Sequence, residues 1–376
     1  MAQQMASLRL AAGILRRDPA SGEAPARPLQ NQGLIVSGTP RSPSRDRGWL
    51  GRAWSGPGRP DQVTRAGRAA ATYAVPTRSV LFVVSAGTDS MRRSRIEGRC
   101  LEVAGRNGLP ARALESPDGR SDWRGRVVSE VQSAVAEGTD LVVAIGGDGT
   151  VGACAEGVCG TGATLAVIPC GAANLFARAL DIPFGFEAAL AVAFVGSDHR
   201  VDVALANGRA VVTMAGIGLD AAVVAATSAA SKQALGWLGY GVATLPRLYD
   251  HPYRFQVRLD GATAMTLDAR SVVVVNAGRL PAGLAPSPRL RPDDGLLDVT
   301  VLAPRGPFGW AALIWQMSRG GRRGGADRLA SCQAGTVAIS AEVELPRQLD
   351  GESITASSEL VVRIAERALR VRLPRA

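Results

Sequence analysis

The chain has 376 residues, 46% of them hydrophobic, and a formal net charge of +10. Residues 1–75 hold eleven arginines against four acidic residues, so the rest of the chain carries only about three excess positive charges. A folded part this close to neutral, with no basic helix interleaved with aromatic residues, argues against a nucleic-acid partner. The length suffices for two domains with their own cores.

The use of lysine and cysteine excludes several further classes of protein. Lys232 is the only lysine and lies in an Ala-rich stretch, whereas a P-loop or a protein kinase needs a lysine at its phosphates. A nucleotide would therefore be bound by backbone amides, Asp, Asn and Arg. Five cysteines without a CxxC pair argue against structural zinc and for a reduced, cytoplasmic setting. We find no pattern of a signal peptide or a membrane span.

The first half of the chain predicts an extension followed by an α/β domain. Residues 1–76 are rich in Arg, Pro, Gly and Ser without hydrophobic periodicity, which predicts disorder. Over residues 77–200, apolar strands alternate with helices, which indicates a parallel sheet. The predicted strands are 79–85, 141–145 and 165–169, and the predicted helices are 94–107, 124–137 and 150–159.

Residues 201–376 favour strands and predict a β-sandwich domain. One long helix is expected over 219–248. The predicted strands are 201–205, 210–214, 255–260, 271–276, 297–302, 336–340 and 360–364.

A glycine-rich turn separates a buried strand from a helix. Its glycines allow a phosphate to approach the backbone closely, and the turn amides and the helix N-terminus attract an anion. The acid within it would repel phosphate unless a cation bridges the two. The same sequence is also good turn chemistry in any protein. The candidate phosphate-binding residues are Gly146, Gly147, Asp148, Gly149 and Thr150.

A second loop, Ile168–Arg178, also connects a strand to a helix. Gly171 and Asn174 would meet the first loop at the carboxyl edge of the sheet. The alternative interpretation is a β-turn with a helix cap from Asn174.

Two acidic turns occur in the second half. Clustered carboxylates at Arg291–Asp298 precede a strand and can hold a hard cation together with backbone carbonyls, although an ordinary Asp-Gly hairpin fits equally. At Gln348–Glu352 a second Asp-Gly turn places Glu352 at a strand end. A carboxylate there can accept a proton from a hydroxyl that attacks a phosphoryl group, unless it is simply an exposed turn residue.

The four motifs, in this order, resemble the catalytic family of diacylglycerol kinases, which includes sphingosine kinases and bacterial lipid kinases. The likeness covers roughly residues 78–376. The matching segments are the GGDGT loop at 146–150, the P-x-G-T-x-N-x-x-A-R segment at 169–178, AGIGLD at 215–220, DDGLLDV at 293–299 and DGE at 350–352.

This resemblance implies an α/β nucleotide-binding domain like that of NAD kinases, and a C-terminal β-sandwich whose last residues return to the first domain. ATP and a lipid acceptor would bind in the cleft between the two. Glu352 would be the general base, and Asp148 would position a cation. ATP would contact the first loop, as far as Ala153, and Gly171, Ala172 and Asn174. Magnesium would be held by Asp294 with backbone oxygens of Arg291 and Leu296.

The sequence departs from the family pattern at several positions. Ala172 replaces a threonine, Leu175 an aspartate and Gly152 an asparagine, and Val84–Asp89 lacks the usual N-P-x-S-G. Because a neutral hydrogen bond contributes about 0.5–1.5 kcal/mol, these changes predict weaker ATP binding more than lost chemistry.

The apolar segment Pro307–Trp315 is followed by Arg319, Arg322 and Arg323, a pattern that suits a helix at an anionic membrane surface. A helix packed on the sandwich is the alternative. Oligomeric state, a homodimer included, is left open.

Two other functions compete with a kinase for diacylglycerol or a related lipid. An NAD kinase would need an Asn-Glu pair, but Asn276 is followed by Ala277. A nucleotide-binding pseudokinase is favoured by Ala172 and Leu175.

Overall fold

The computed structural model describes residues 77–85, 90–116, 122–226, 251–278, 291–318 and 329–375. The predicted disordered extension, the predicted helix beyond Ala226 and the three arginines after the apolar segment lie outside these residues.

The first half is an α/β layer structure. Its elements are β1 (Val80–Ser85), α1 (Ser90–Arg106), β2 (Ala111–Ser116), α2 (Trp123–Ala136), β3 (Leu141–Gly146), α3 (Asp148–Val158), β4 (Thr164–Pro169), α4 (Leu175–Ala179) and α5 (Phe186–Val195). The strands pair in parallel in the order β2-β1-β3-β4. The predicted strands and helices are confirmed, and α4 is the helix expected after the second loop, while β2 and α5 were not predicted.

Both faces of this parallel sheet are buried. Val142 and Ala144 belong to a core cluster with residues of α2 and α3, while Leu141, Val143 and Ile145 belong to a second cluster with residues of α1 and α5. Because successive side chains of a strand point to opposite faces, β3 needs apolar residues at every position. The same burial explains the unbroken apolar run of β4.

The second half is a β-sandwich with its own core. Its elements are β5 (Ser197–Ala206), β6 (Arg209–Val211), β7 (Met214–Gly218), α6 (Leu219–Ala226), β8 (Tyr253–Leu259), β9 (Met265–Ala269), β10 (Ser271–Val275), β11 (Leu297–Leu302), α7 (Gly306–Ser318), β12 (Leu329–Ala334), β13 (Thr336–Leu349) and β14 (Glu352–Leu373). The strands follow the order β12-β11-β10-β7-β13-β14, and β8 and β9 extend the pairing from β13. The core includes Ile217, Phe255, Val274, Leu345 and Val362.

Several strand predictions in this half were inaccurate: β9 and β12 were not predicted, and the strand predicted over 336–340 is only the beginning of β13. The single strand predicted over 210–214 is divided between β6 and β7, because the backbone amides of Val212 and Thr213 donate to the Asp350 carboxylate. The strand predicted over 360–364 is the middle of β14, which has 22 residues.

The long last strand, β14, pairs with strands of both halves. Arg370 and Val371 pair in parallel with Thr164 and Leu165 of β4, whereas the earlier part of β14 pairs antiparallel with β13. β5 runs antiparallel along its other edge. The final strand therefore links the α/β sheet with the sandwich.

Candidate active site

The two glycine loops lie side by side at the carboxyl edge of the parallel sheet. Gly146 is paired with Pro169, and the Cys170 amide donates to the Gly146 carbonyl at 2.9 Å. A Cβ added to Gly171 would overlap with the Cα atom of Gly147. Glycine is therefore required here by close contact between two backbones, and the predicted meeting of the loops is observed.

Asn174 closes the second loop with its own amide. It has φ 48°, in the left-handed region, and is almost fully buried. The Gly171 amide donates to its Oδ1 at 2.9 Å, while its Nδ2 donates to the Gly171 carbonyl at 2.6 Å. Asn174 thus fixes the shape of the loop that holds Gly171 and Ala172.

Asp148 is the first residue of α3 and connects the two loops. Its Oδ1 accepts a hydrogen bond from the Phe176 amide at 3.1 Å, at the start of α4. Burial raises the pKa of Asp148 to about 6, and the amides of Phe176 and Leu175 oppose that rise. A carboxylate this reluctant to ionise suits a position beside a cation. Since Mg²⁺ is usually bound by one or two carboxylates, water and substrate phosphates, Asp148 fits a magnesium-nucleotide complex.

The turn between β13 and β14 is formed by Asp350 and Gly351, whose φ angles are 50° and 76°. Two successive positive φ angles define the type I′ turn that Asp-Gly favours. The buried Asp350 carboxylate accepts hydrogen bonds from the amides of Val212, Thr213 and Met214 and from the Thr213 hydroxyl, at 2.6–3.2 Å. Burial raises the pKa of Asp350, and the Thr213 hydroxyl opposes this most strongly. Asp350 therefore anchors the turn that leads into Glu352, the first residue of β14.

Gln348 holds the same turn from the other side. Its Nε2 donates to Asp220 at 3.2 Å, and its Oε1 accepts the Gly351 amide at 2.8 Å. Asp220 also contacts the hydroxyl of Ser271. Through Asp220, the AGIGLD segment of the sandwich thus supports the Asp350–Gly351 turn.

The turn packs directly on α3, the helix that begins at the first glycine loop. A Cβ on Gly152 would lie 2.9 Å from Asp350 Oδ2 and 3.4 Å from Arg124 Nη1. The residue at 152 departs from the family pattern, and the space that a side chain would need is filled by Asp350 and Arg124. Gly152 follows Asp148 by about one helical turn, so the glycine loop and the acidic turn share one neighbourhood.

Glu352 is partly exposed beside this helix, with two arginines at one of its oxygens. Oε2 accepts a hydrogen bond from Arg209 Nη2 at 3.1 Å and lies 3.6 Å from Arg124 Nη1. Arg124 in turn binds Glu156 of α3 and the Ala210 carbonyl, at 2.9 and 3.0 Å. Sequence analysis missed both arginines, because α2, β6 and β14 are distant in the chain and no local motif marks them.

The third predicted motif forms a tight turn before β11. Asp294 Oδ1 accepts the Leu296 amide at 3.2 Å, and Gln333 Nε2 lies 3.4 Å from its Oδ2. The turn is secured by the buried Asp202, which sequence analysis missed and which accepts the amides of Gly295 and Arg367. Burial raises the pKa of Asp294.

No group of three or more His, Cys, Asp or Glu side chains in the described ranges is arranged to hold a metal ion. The donors predicted for a cation at this turn are the Asp294 carboxylate and the backbone carbonyls of Arg291 and Leu296. Oxygen donors of this kind suit a hard cation that keeps several of its waters.

Asn276, the residue considered for an NAD kinase site, is buried in the sandwich. Its Nδ2 donates to the carbonyls of Asp202 and Val212 at 3.0 and 3.1 Å. The side chain therefore joins neighbouring segments of the sandwich.

Helix α7 presents two aromatic side chains on its outer face. Phe308 is 88% exposed and Trp315 is 54% exposed, whereas Leu313 is buried. A spacing of seven residues places Phe308 and Trp315 on the same side of a helix. None of the helices described is both long and apolar enough to cross a bilayer.

Comparisons with known proteins agree with the α/β half and the β-sandwich described above. Residues 119–206 match the diacylglycerol kinase catalytic domain, and residues 213–373 match the YegS C-terminal NAD kinase beta sandwich-like domain. A protein of Pseudomonas aeruginosa (strain UCBPP-PA14) named probable lipid kinase YegS-like is 33% identical over 249 residues, which cover 65% of this chain and 80% of the relative.

A relative of the same name from Stenotrophomonas maltophilia (strain K279a) is 32% identical, over 66% of this chain and 89% of its own. A solved structure of a diacylglycerol kinase from Bacillus anthracis str. Sterne has a TM-score of 0.58 at 20% identity, covering 80% of this chain and 98% of its own, which shows a shared fold. Fold and loops together define a two-domain protein with a diacylglycerol kinase catalytic domain and an NAD kinase-like sandwich. The chain belongs to the YegS-like lipid kinase family.

Proposed function

We propose that this chain is a lipid kinase that transfers the γ-phosphoryl group of ATP to a hydroxyl of diacylglycerol or a related lipid. The observation that carries the proposal is the packing of the Asp350–Gly351 turn on α3 at Gly152. This contact brings a loop suited to phosphates and the carboxylate of Glu352 into one neighbourhood. Family membership supports the same reaction.

In this proposal the amides of Gly146–Thr150 and the N-terminus of α3 bind the phosphates of ATP. Gly171, Ala172 and Asn174 form the adjoining wall of the nucleotide site. Magnesium, when bound, would neutralise charge on the phosphates, and Asp148 is the carboxylate that would hold it there. Asp294, with the carbonyls of Arg291 and Leu296, is the candidate for a second, structural cation.

Glu352 accepts the proton of the lipid hydroxyl as its oxygen attacks the γ-phosphorus. The new P–O bond forms while the bond between the γ-phosphorus and the bridging oxygen breaks, so ADP leaves and the lipid becomes a phosphate ester. Such a transfer depends mainly on positioning and charge neutralisation. Anchoring of the turn by Asp350 and Gln348 supplies that positioning for the base.

The test of this mechanism is Glu352→Gln, which keeps the shape of the side chain and removes its basicity. Turnover should fall by at least about 10², because general-base catalysis contributes about 10²–10⁴. Binding of ATP and the melting temperature should stay close to wild type. Glu342→Gln, on an exposed position of β13, is the matched control and should retain full turnover. Wild-type turnover by Glu352→Gln would refute the assigned base.

The acceptor is identified by incubating the wild type with labelled ATP and diacylglycerol, a sphingoid base or a lipid extract, with mass detection of products. We expect a phosphorylated lipid. Nucleotide binding without transfer to any lipid would favour a pseudokinase, the reading that Ala172 and Leu175 would support.

We further propose that the outer face of α7 contacts the membrane that holds the acceptor. Phe308 and Trp315 are large apolar groups on one exposed face, and aromatic residues bind well at the lipid–water interface. Arg305 lies just before the helix and adds positive charge on the same segment.

Replacing Phe308 and Trp315 together by serine should weaken sedimentation with liposomes, most clearly when these contain anionic lipid. The phosphorylation of a short-chain, water-soluble acceptor should not change. Val343→Ser, at another exposed apolar position, is the control for added polarity. Equal sedimentation of wild type and double variant would contradict a membrane-binding role for α7.

A further inference from the structure

We infer that Arg124 and Arg209 are positioning residues that fix the orientation of the Glu352 carboxylate. The inference rests on the proposed function, in which Glu352 is the base. Both arginines approach the same oxygen, Oε2, at 3.6 and 3.1 Å. Oε1 has no hydrogen-bond donor among the described residues and is left for the acceptor hydroxyl.

Arg124 is held rigidly, and one of its nitrogens is directed at Glu352. The residue is 7% exposed. Its Nε and Nη2 donate to Glu156, and Nη2 donates also to the Ala210 carbonyl. Its Nη1 is buried without a hydrogen-bond partner and faces Glu352 Oε2 from just beyond bonding distance.

An unsatisfied buried donor on Arg124 is destabilising, so a purely structural arginine would be expected to satisfy it. The position of Nη1 is explained if a small shift of Glu352, as acceptor and ATP bind, closes the gap of 3.6 Å. Catalytic hydrogen bonds are often long in structures without substrate and tighten in the complex.

Gly152 makes this arrangement possible. A side chain at that position would meet both Arg124 Nη1 and Asp350 Oδ2. Without one, the guanidinium of α2 reaches across α3 to the acidic turn. The glycine at 152, which departs from the family pattern, therefore leaves room for the Arg124 side chain beside the acidic turn.

Arg209 approaches Glu352 from β6, whereas Arg124 approaches it from α2. It begins β6, its side chain is about one-third exposed, and its Nη2 donates to Oε2. Two cations on one oxygen restrict the rotation of the carboxylate. Because misplacement of a catalytic group by about 1 Å can reduce turnover about 10²-fold, such restriction matters for rate.

The less specific interpretation is that Arg124 only joins α2 to α3 through Glu156. Glu156→Gln tests that reading, because it weakens the Arg124–Glu156 pair without touching Glu352. Arg209→Gln tests the inference with little risk to folding, since Arg209 is partly exposed. Arg254→Gln is the matched control, because it removes an exposed arginine of β8 that pairs with Asp268 of β9.

We expect Arg209→Gln and Arg124→Gln each to lower kcat about tenfold or more with an unchanged KM for ATP, and Arg209→Lys to recover part of the loss. In a Glu352→Gln background, neither substitution should lower kcat further, because the group they position is gone. Glu156→Gln should lower the melting temperature more than kcat, and Arg254→Gln should change neither.

Wild-type kcat in Arg209→Gln, or an equal loss with and without Glu352, would overturn the inference. If Arg124→Gln fails to fold, the Arg209 series alone decides. Wild-type turnover by Glu352→Gln would instead reject the proposed base, so the two failures are distinct.

Discussion

Asp148 combines a hydrogen bond to the Phe176 amide with a raised pKa. Its Oδ1 accepts the Phe176 amide, yet burial raises its pKa from 3.8 to about 6. The folded protein thus holds this proton more tightly than the unfolded chain does between those two pH values. The contribution of Asp148 to the free energy of unfolding must therefore decrease as pH rises from about 4 to 6.

The variant Asp148→Asn should remove this pH dependence while keeping an oxygen that can accept the Phe176 amide. The free energy of unfolding of the variant minus that of the wild type should increase by about 2–3 kcal/mol between pH 4 and 7, since one pKa unit corresponds to about 1.4 kcal/mol. Urea denaturation of both proteins at pH 4, 5, 6 and 7 measures it.

Asp220, another buried acid, titrates in both proteins and cancels in the Asp148→Asn difference. A difference that stays constant across this range would contradict the raised pKa. Excess magnesium and ATP should stabilise the ionised form and reduce the pH dependence of the wild type, which is a second measurement of the proposed cation position.

At the level of elements, the contact between α3 and the β13–β14 turn decides whether the site is assembled. Gly152→Ala places a methyl group 2.9 Å from Asp350 Oδ2 and 3.4 Å from Arg124 Nη1. We expect a loss of about 1–3 kcal/mol in the free energy of unfolding, typical of overpacking, although alanine is the better helix former.

Gly105→Ala in α1 is the matched control for Gly152→Ala, because nothing lies within 4 Å of its added Cβ. It should leave stability unchanged or raise it slightly. Chemical denaturation of both variants measures the difference. A stability of Gly152→Ala at or above that of Gly105→Ala would show that the turn does not pack on α3 as described.

Elements with a strong local pattern were predictable. β3, β4 and β11 appear where apolar runs predict them, and the Asp-Gly sequence at 350 forms the expected turn. Strand ends were less predictable, because the break after Val211 depends on a carboxylate more than 130 residues away.

The residues of the candidate site also divide into those that the sequence predicts and those that it does not. The glycine loops and Glu352 follow from motifs, whereas Arg124, Arg209 and Asp202 act through contacts that only the fold creates. A single arginine in a helix or hairpin has the same local sequence whether it faces solvent or a carboxylate of the candidate site. Sequence reasoning therefore finds the residues that need special backbone geometry and misses those that need only a neighbour.

For the whole molecule, β14 is the element that unites the two halves. It pairs with β13 in the sandwich and with β4 in the parallel sheet, and Leu369 and Val371 lie in the core of the α/β half. A strand shared by two cores cannot leave one without disturbing the other. The α/β half and the sandwich should therefore unfold together in one cooperative transition.

Leu369→Ala tests this coupling, because Leu369 is fully buried where β14 enters the α/β half. The free energy of unfolding should fall by about 2–5 kcal/mol, the range for deleting a buried leucine side chain. Hydrogen exchange followed by mass spectrometry should show equal loss of protection in peptides from β3 and from β10, although β10 belongs to the sandwich core. Leu101→Ala, on the exposed side of α1, should change neither. Loss of protection in β3 with β10 unaffected would mean that the halves open separately.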